Sequence, residues 1–351
     1  MSLVNRNVKI IGMAVLIATA LGVGITLQQT LEAKSGSNKG ATELLNVSYD
    51  PTRELYRQIS KEFSANYLSK TGGKVTVKSS HGGSAAQARA VLGGLKADVV
   101  SLALAYDIDA LAAQGLVSAN WQERFANHSC PYSSVIVFLV RKGNPKRIRG
   151  WDDLVRPGVE VITPSPKTSG GARWNFLAAW GHVTQSGGST AQAEDFMRRL
   201  YHNVPVLDTG ARGATLTFVQ KNIGDVLIAW ENEALLALHE NGAGIELVYP
   251  DDTLLAEPPV AVVDRNVDEH GTRAAAEAFI RFLYSDTAQI VMVRSGYRPS
   301  NAAILEKFRS HLPPVRKPFT LRDVASSWKA AQVKFFDDGG VFDRIYEPVH
   351  R

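Results

Sequence analysis

The sequence contains a single cysteine, Cys130, among its 351 residues. One thiol excludes an intramolecular disulfide and also excludes a zinc site built from several cysteines. Cys130 stands before Pro131 and an apolar run, so we expect a buried and unreactive thiol. The fold must therefore be stabilised by packing, and the cysteine content does not distinguish an intracellular protein from an exported one.

Several signatures of catalysis are also missing. The eight histidines form no H-E-x-x-H zinc motif, and the sequence has no Walker A phosphate-binding loop. Gly82-Gly83-Ser84-Ala85-Ala86 approaches the G-x-S-x-G nucleophile elbow of serine hydrolases but ends in alanine. We therefore expect a protein that is not an enzyme and needs neither a metal nor a cofactor. A serine hydrolase is left as the alternative from another class.

A strong excess of positive charge is absent from most of the chain. The net charge of +5 comes from 39 basic and 34 acidic residues, and residues 1–40 hold four of the basic residues and one of the acidic ones. The remaining 35 basic and 33 acidic residues give a charge of +2. A nearly neutral body argues against a nucleic-acid partner.

One long apolar run is present, and it lies at the N-terminus. Arg6 and Lys9 precede 18 uncharged residues from Ile10 to Leu27, which is the pattern of a secretory signal peptide. A run of this length is also long enough to stay in the membrane as an uncleaved anchor, so both interpretations are open. We expect export to the periplasm, with residues 1–42 forming the signal or anchor and a flexible leader.

The remaining sequence alternates β-rich and helical patterns, which favours an α/β fold with mostly parallel strands. Leu55, Ile59, Phe63 and Tyr67 recur every four residues and predict a helix after Asp50, whose carboxylate we expect to cap it. Strands are predicted at 44–49, 75–78, 99–104, 134–141, 159–163, 225–230 and 259–264. We expect a first lobe over 43–133, a second lobe over 134–259, and a return to the first lobe, followed by C-terminal helices, over 260–351.

Four predicted strand-to-helix junctions place small residues at the start of a helix. They are Tyr49-Asp50-Pro51, Gly82-Gly83-Ser84, Ser169-Gly170-Gly171 and Gly210-Ala211-Arg212-Gly213. The first N–H groups of a helix have no intrahelical acceptor and carry partial positive charge, so such junctions can bind anions without lysine or arginine. Each junction alone also fits an ordinary turn or cap, and composition does not name the anion.

The longer motifs around these junctions resemble those of the prokaryotic sulfate- and thiosulfate-binding proteins. The resemblance covers roughly residues 43–345. The matching stretches are Asn46–Tyr56, Ser80–Ser84, Lys167–Asn175 continuing to Gly181, Leu207–Gly213, Gly224–Ala234, Tyr297-Arg298-Pro299 and Asp338–Asp343.

This resemblance implies a type II periplasmic binding protein, in which two α/β lobes close on a ligand about a two-strand hinge. It implies a monomer that binds sulfate or thiosulfate in the periplasm and delivers it to the membrane permease of an ABC transporter. The same fold binding molybdate, tungstate or phosphate is the alternative.

The resemblance also implies seven contacts to the anion. Asp50 and Ser84 would present backbone N–H groups from the first lobe. The second lobe would offer the Ser169 hydroxyl, the backbone N–H groups of Gly170, Gly171 and Ala211, and the Trp230 indole N–H. Arg53, Arg173 and Arg212 would stay off the ligand and fix the loops. Ala85-Ala86 departs from the family's usual Gly-Lys, which removes a positive charge beside Ser84.

The chemistry of these groups agrees with a fully ionised anion. Sulfate only accepts hydrogen bonds near neutral pH, and the indole and backbone N–H groups only donate them. Phosphate keeps a proton, which a donor-only site would leave unpaired at a cost of about 1–3 kcal/mol. The Asp50 carboxylate is the one nearby group that could accept this proton, and we expect it to cap its helix instead. We therefore expect the site to favour sulfate over phosphate.

Overall fold

The computed structural model describes residues 41–242 and 244–346, so the expected signal peptide or anchor lies outside the described residues. The strands are β1 Thr42–Tyr49, β2 Val75–Gly82, β3 Val99–Ser101, β4 Tyr132–Arg141, β5 Val161–Pro164, β6 Leu207–Asp208, β7 Val226–Trp230, β8 Ile245–Val248, β9 Asp252–Ala256, β10 Val260–Val262, β11 Arg298–Pro299 and β12 Lys317–Phe319.

The helices alternate with these strands, as expected for an α/β protein. They are α1 Arg53–Thr71, α2 Ser84–Leu92, α3 Ala105–Ala113, α4 Gly170–Gln185, α5 Thr190–His202, α6 Ala211–Val219, α7 Glu231–Asn241, α8 Asp264–His270, α9 Arg273–Leu283, α10 Asp286–Arg294, α11 Ala302–Lys307, α12 Leu321–Val324, α13 Trp328–Ala331 and α14 Val341–Ile345. Short turns of other helical types cover Asp50–Thr52, Trp121–Glu123, Ala126–Ser129, Trp151–Val155 and Gln332–Phe336.

The first lobe is built on a four-stranded sheet in the order β10-β3-β1-β2. Strands β1 and β3 are parallel, and β10 joins β3 antiparallel. One apolar cluster beside this sheet includes Leu55, Ile59 and Phe63 of α1 with Phe279 of α9. A second cluster includes Val91 of α2 and residues of α3. The helical face predicted from the four-residue repeat is therefore the buried one.

The second lobe is built on a larger sheet in the order β12-β9-β4-β7-β5-β6, with β8 and β11 also paired to β4. Residues 170–181 of α4 are all buried, because the helix lies in a core shared with the C-terminal segment. Phe176 packs against Phe335 and Phe336 with ring centroids 5.7 and 5.3 Å apart. The C-terminal helices thus pack on the second lobe.

The chain passes between the lobes along two neighbouring strands. Strand β4 enters the second lobe and β9 leaves it, and the two pair antiparallel through Ser134 with Ala256 and Val135 with Leu255. Strand β11 adds to β4 beside this crossing, with Arg298 opposite Ser133. The predicted two-strand hinge of a type II binding protein is confirmed. The predicted lobe limits at residues 134 and 260 remain our proposal.

The polypeptide around the hinge contains the lone cysteine. Cys130 is only half-buried, and its Sγ atom lies 3.5 Å from the carbonyl oxygen of Glu257. Burial nevertheless raises the pKa of the thiol, which favours the unreactive protonated form.

Within 41–242 and 244–346, no helix is both long and apolar enough to cross a membrane. The same residues contain no group of three or more histidine, cysteine, aspartate or glutamate side chains that could hold a metal ion.

Candidate anion-binding cleft

The two lobes are in direct contact where the four small-residue junctions meet. Trp174 of α4 donates its indole N–H to the carbonyl oxygen of Ala103 in the first lobe, at 2.8 Å. A β-carbon added to Gly170 would lie 2.9 Å from Ala103 Cβ and 3.0 Å from Ser84 Cβ. Only glycine allows this approach of the second lobe to the first. The structure therefore shows a closed cleft.

Ser84 lies at the first position of α2 and is 2% exposed. Its hydroxyl donates to the carboxylate of Asp107 at 2.5 Å and accepts the backbone N–H of Ala103 at 2.9 Å. Because the hydroxyl is occupied, the group that Ser84 can still offer to a ligand is its backbone N–H, which has no acceptor within the helix. This is the group predicted from the sequence.

Asp50 follows β1 and opens the 3-10 turn that leads into α1. The prediction that its carboxylate caps the helix is wrong, since no described backbone N–H donates to it. The 3-10 turn puts Tyr49 rather than Asp50 at the cap position, and the next residue, Pro51, has no N–H. The carboxylate lies 3.9 Å from Arg53, and a β-carbon on Gly210 of the second lobe would be 3.7 Å from it.

Ser169 is the N-cap of α4 and is buried. Its Oγ atom accepts the backbone N–H of Ala172 at 3.2 Å, so the hydroxyl proton is directed away from the helix. Gly170 and Gly171 follow as the first two helical residues, with N–H groups that have no intrahelical acceptor. One hydroxyl and two backbone donors are therefore concentrated within three residues.

Trp230 ends β7 and is 3% exposed. Its indole N–H donates to the carbonyl oxygen of Gly171 at 3.2 Å, a contact that the sequence did not reveal. Its ring lies 5.8 Å from that of Tyr49, the residue before Asp50. The predicted indole donor is thus at the cleft, and an anion would have to share or replace its present acceptor.

Ala211 is the first residue of α6 and is half-buried. Its neighbour Gly210 faces the Asp50 carboxylate across the cleft. The structure therefore brings all four predicted junctions to the boundary between the lobes. Two junctions come from each lobe.

The three arginines near the junctions have protein partners, as the sequence interpretation expected. Arg173 is buried and donates to the carbonyl oxygen of Pro166 at 2.9 Å. Arg212 donates to Glu54 at 3.1 Å. Arg53 lies near Asp50, as described above. These guanidinium groups can fix the loops without binding the ligand.

Two buried carboxylates beside the cleft were not recognised in the sequence. Burial raises the pKa of Asp107, although the Ser84 hydroxyl and nearby arginines oppose the shift. Burial likewise raises the pKa of Glu233, in the first turn of α7, to about 7 against the opposing charge of Arg212. The one available signal for Glu233 was an acidic residue in the first turn of a predicted helix, which is common at helix starts.

Comparisons with known proteins show the family of this chain. Residues 44–298 match the family model described as bacterial extracellular solute-binding protein. The sulfate-binding protein of Escherichia coli is 52% identical over 92% of this chain and 98% of its own length. The thiosulfate-binding protein of Pseudomonas aeruginosa is 45% identical over 94% of this chain and 98% of its own length.

A solved structure extends the similarity to three dimensions. The sulfate-binding protein SubI from Mycobacterium tuberculosis is 36% identical, with a TM-score of 0.77, covering 84% of this chain and all of that chain. The match to the family model, over residues 44–298, spans all four junctions at the cleft. The chain belongs to the bacterial extracellular solute-binding proteins, in the family of the sulfate- and thiosulfate-binding proteins.

Proposed function

We propose that this protein binds sulfate or thiosulfate between its lobes and delivers the anion to a membrane importer. The observation that carries the proposal is the convergence of four helix starts, two from each lobe, at one closed cleft. Helix starts supply N–H donors and partial positive charge where a dianion must lose its water. The names of the full-length relatives support the choice of anion.

The proposed contacts are the seven groups predicted from the sequence. Asp50, Ser84, Gly170, Gly171 and Ala211 would donate backbone N–H groups. Ser169 would donate its hydroxyl, and Trp230 its indole N–H. The Ser84 hydroxyl already donates to Asp107, which supports a contact through the Ser84 backbone N–H, and the Ser169 oxygen accepts from Ala172, which leaves the Ser169 O–H available as a donor.

Periplasmic action and docking to the permease of an ABC transporter belong to the same proposal. Membership of the extracellular solute-binding proteins supports a site of action outside the cytoplasm. A closed cleft places surface from both lobes side by side, so a permease that binds both would distinguish the loaded protein from the open one.

A receptor fits the cleft better than a hydrolase does. A serine nucleophile needs a nearby general base and an accessible hydroxyl. The Ser84 hydroxyl is buried and donates to Asp107, and within residues 41–242 and 244–346 none of the hydrogen bonds to Ser84 comes from a histidine. We propose that the protein has no catalytic activity. Ester turnover that disappears in Ser84→Ala would contradict this.

Calorimetric titration with sulfate, thiosulfate, molybdate, tungstate and phosphate tests the ligand. We expect binding of sulfate or thiosulfate and no comparable binding of phosphate at neutral pH. The reason is that the seven proposed contacts donate, so the phosphate proton would stay unpaired, at about 1–3 kcal/mol, unless the Asp50 carboxylate, which does not cap its helix, accepted it. Tight phosphate binding without a response to sulfate would overturn the proposal.

A further inference from the structure

A groove on the first lobe, between α1 and β2, lies outside the proposed anion cleft. Strand β2 is the last strand of the first-lobe sheet, and α1 packs beside it. The groove has a volume of about 390 Å³, and its lining includes Arg53, Tyr56, Arg57, Ser60, Ser79 and His81. Spacings of three or four residues on a helix, and of two on a strand, bring side chains to one surface. The groove is therefore formed by two regular elements of the fold.

The charged side chains of this groove have one sign. Arg53 and Arg57 line it, and none of the described lining residues is an aspartate or a glutamate. The carboxylates of Asp50 and Glu54 lie 3.9 and 3.8 Å from these guanidinium groups, which is too far for a hydrogen bond. The two arginine side chains are 55% and 74% exposed. Their N–H groups can therefore donate to an anion in the groove.

Two further lining residues have polar atoms without a partner. The Ser60 Oγ and His81 Nδ1 atoms are buried, and neither has a hydrogen-bond partner within residues 41–242 and 244–346. A buried polar atom without a partner costs free energy, so nearly all such atoms in folded proteins have one. The groove thus combines two arginines that can accept an anion with two polar atoms that lack a protein partner.

We propose that this groove is a second binding site, separate from the cleft, for an inorganic tetrahedral oxyanion. Two guanidinium groups one helical turn apart can donate to different oxygens of the same anion. Because both arginines are largely exposed, the affinity should be weak, with a dissociation constant of roughly 1 mM. The site does not depend on which anion the cleft binds.

The groove ends beside two of the first-lobe junctions. Arg53 lies three residues after Asp50, and His81 directly precedes Gly82. A bound anion there would stand near the entrance of the cleft, where positive charge raises the local concentration of anions.

The selectivity of the groove should differ from that of the cleft. Serine hydroxyls accept as well as donate hydrogen bonds, and a neutral imidazole has one accepting nitrogen. The hydroxyls of Ser60 and Ser79 and the ring of His81 can therefore accept the proton that phosphate keeps. We expect the groove to bind phosphate and sulfate with similar affinity.

The surroundings of His81 make it a reporter of an anion in the groove. Burial lowers its pKa and Arg53 adds to the decrease, while the Tyr49 backbone, Asp50 and Glu54 oppose it. Arg57 also lines the groove. A dianion beside the ring would favour the imidazolium form and so raise the pKa of His81. By linkage, the groove should bind sulfate more tightly as the pH falls.

NMR of the histidine rings tests the site directly. The His81 signal is identified by its loss in His81→Gln, and ionic strength is held constant with sodium chloride. Once sulfate has saturated the cleft, further sulfate should move the His81 signal along a second saturating curve and raise its pKa. Phosphate added to the sulfate-saturated protein should move the same signal. A His81 signal that stops changing when the cleft is full, or that ignores phosphate, would overturn the proposal.

Substitution of the arginines separates binding in the groove from a general effect of charge. Arg53→Gln and Arg57→Gln should each raise the dissociation constant of the second curve about two- to fivefold, the range of an exposed ionic contact. Lys70→Gln is the matched control, since it removes one exposed positive charge at the other end of α1. It should leave the second curve unchanged, and equal effects of all three substitutions would overturn the proposal.

The same titrations distinguish failure of this proposal from failure of the proposed function. Calorimetry at low sulfate concentration measures the cleft, whereas the His81 signal measures the groove. A protein without sulfate binding in the cleft would contradict the proposed function and should still show the His81 response. A protein that binds sulfate in the cleft without any second His81 response would contradict only the groove.

Discussion

At the scale of single residues, the proposed site uses uncharged donors whose other hydrogen-bonding capacity is already occupied. Ser169 Oγ accepts from its own helix, and Ser84 Oγ is occupied by Asp107 and Ala103. These two serines need no reorganisation when an anion arrives, whereas the Trp230 indole N–H has to share or exchange its present acceptor, the carbonyl oxygen of Gly171. The three arginines beside the junctions have protein partners, so we expect the anion's charge to be balanced by hydroxyl, indole and backbone dipoles.

Ser169→Ala tests the single hydroxyl among these donors. It should weaken sulfate binding by about 1.5–3 kcal/mol, the contribution of a hydrogen bond to a charged group. Calorimetry gives the affinity. The substitution also removes the cap of α4, which by itself lowers the free energy of unfolding by about 0.5–2 kcal/mol.

Ser189→Ala is the matched control, because Ser189 caps α5 in the same way but is exposed and belongs to none of the junctions. It should lower the free energy of unfolding similarly and leave sulfate affinity unchanged. If both variants bind sulfate like the wild type, Ser169 is not a ligand.

Trp230→Phe should weaken sulfate binding by a similar amount, because it removes the indole donor and leaves the carbonyl of Gly171 without that partner. The matched control is Trp151→Phe. The Trp151 indole is also buried and donates to a backbone carbonyl, that of Asp252, but Trp151 belongs to none of the four junctions. Titration of both variants should show loss of affinity only for Trp230→Phe. Equal losses would point to general destabilisation.

Single residues also show what the sequence could not predict. The seven donors were inferred from motifs. The hydrogen bond from the Trp230 indole to the carbonyl oxygen of Gly171 was not predicted, and neither was the failure of the Asp50 carboxylate to cap its helix. Both depend on local geometry, namely the approach of α4 to β7 and a 3-10 turn in place of a regular first turn. No pattern in the sequence distinguishes these arrangements.

At the scale of helices and strands, the site depends on how closely one helix start can approach the other lobe. Gly170→Ala places a methyl group 2.9 Å from Ala103 Cβ and 3.0 Å from Ser84 Cβ, both in the first lobe. We expect closure to be hindered by about 1–3 kcal/mol, as in other overpacked contacts.

Calorimetry should therefore show a roughly five- to 150-fold higher dissociation constant for sulfate in Gly170→Ala. The free energy of unfolding without ligand should change little if the lobes can separate. Gly150→Ala is the control, since a β-carbon there meets no atom within 4 Å. Wild-type affinity in Gly170→Ala would show that the contact between the lobes is not needed for binding.

The attachment of α4 to the rest of the second lobe gives a pH dependence of stability. His182 in α4 lies 2.8 Å from Asp252 and 3.3 Å from Asp152. Burial lowers its pKa, but these two carboxylates outweigh burial and raise the pKa above its ordinary 6.5.

Because the folded pKa is raised, the stabilisation from protonated His182 is complete below the unfolded value of about 6.5 and is lost as pH rises through the folded pKa. Urea unfolding should show that His182→Gln loses about 1 kcal/mol at pH 5.5 and less at pH 8.5. The exposed His202→Gln should show no such difference. A loss for His182→Gln that is equal at both pH values would contradict the assignment.

Most strands and helices were predictable because their burial patterns are local. The four-residue repeat predicted that α1 is a helix, and the apolar runs predicted that β4 and β7 are strands. Each pattern also indicated roughly where its element lies in the chain. The ends were less accurate. Strand β2 was expected to end at residue 78 but continues to Gly82. The prediction ended too early because residues 79–82 show no alternation of apolar and polar side chains, and the structure leaves them only half-buried.

At the scale of the whole molecule, contacts between distant segments decide the architecture. The packing of Phe335 and Phe336 on Phe176 joins residues about 160 positions apart in the chain. The Glu54–Arg212 bond likewise joins two lobes through residues 158 positions apart. Apolar or charged residue types alone do not specify such partners. The resemblance to the binding-protein family did predict that two lobes close about a hinge.

The most direct test of the central claim is a crystal structure with selenate, a dianion of similar shape to sulfate whose selenium scatters anomalously. We predict one anomalous peak between the lobes, with oxygens at about 2.7–3.2 Å from Ser169 Oγ and from the backbone nitrogens of Gly171 and Ala211. A selenium peak bound by Arg212 or elsewhere on the surface, with the cleft free of selenate, would contradict the claim.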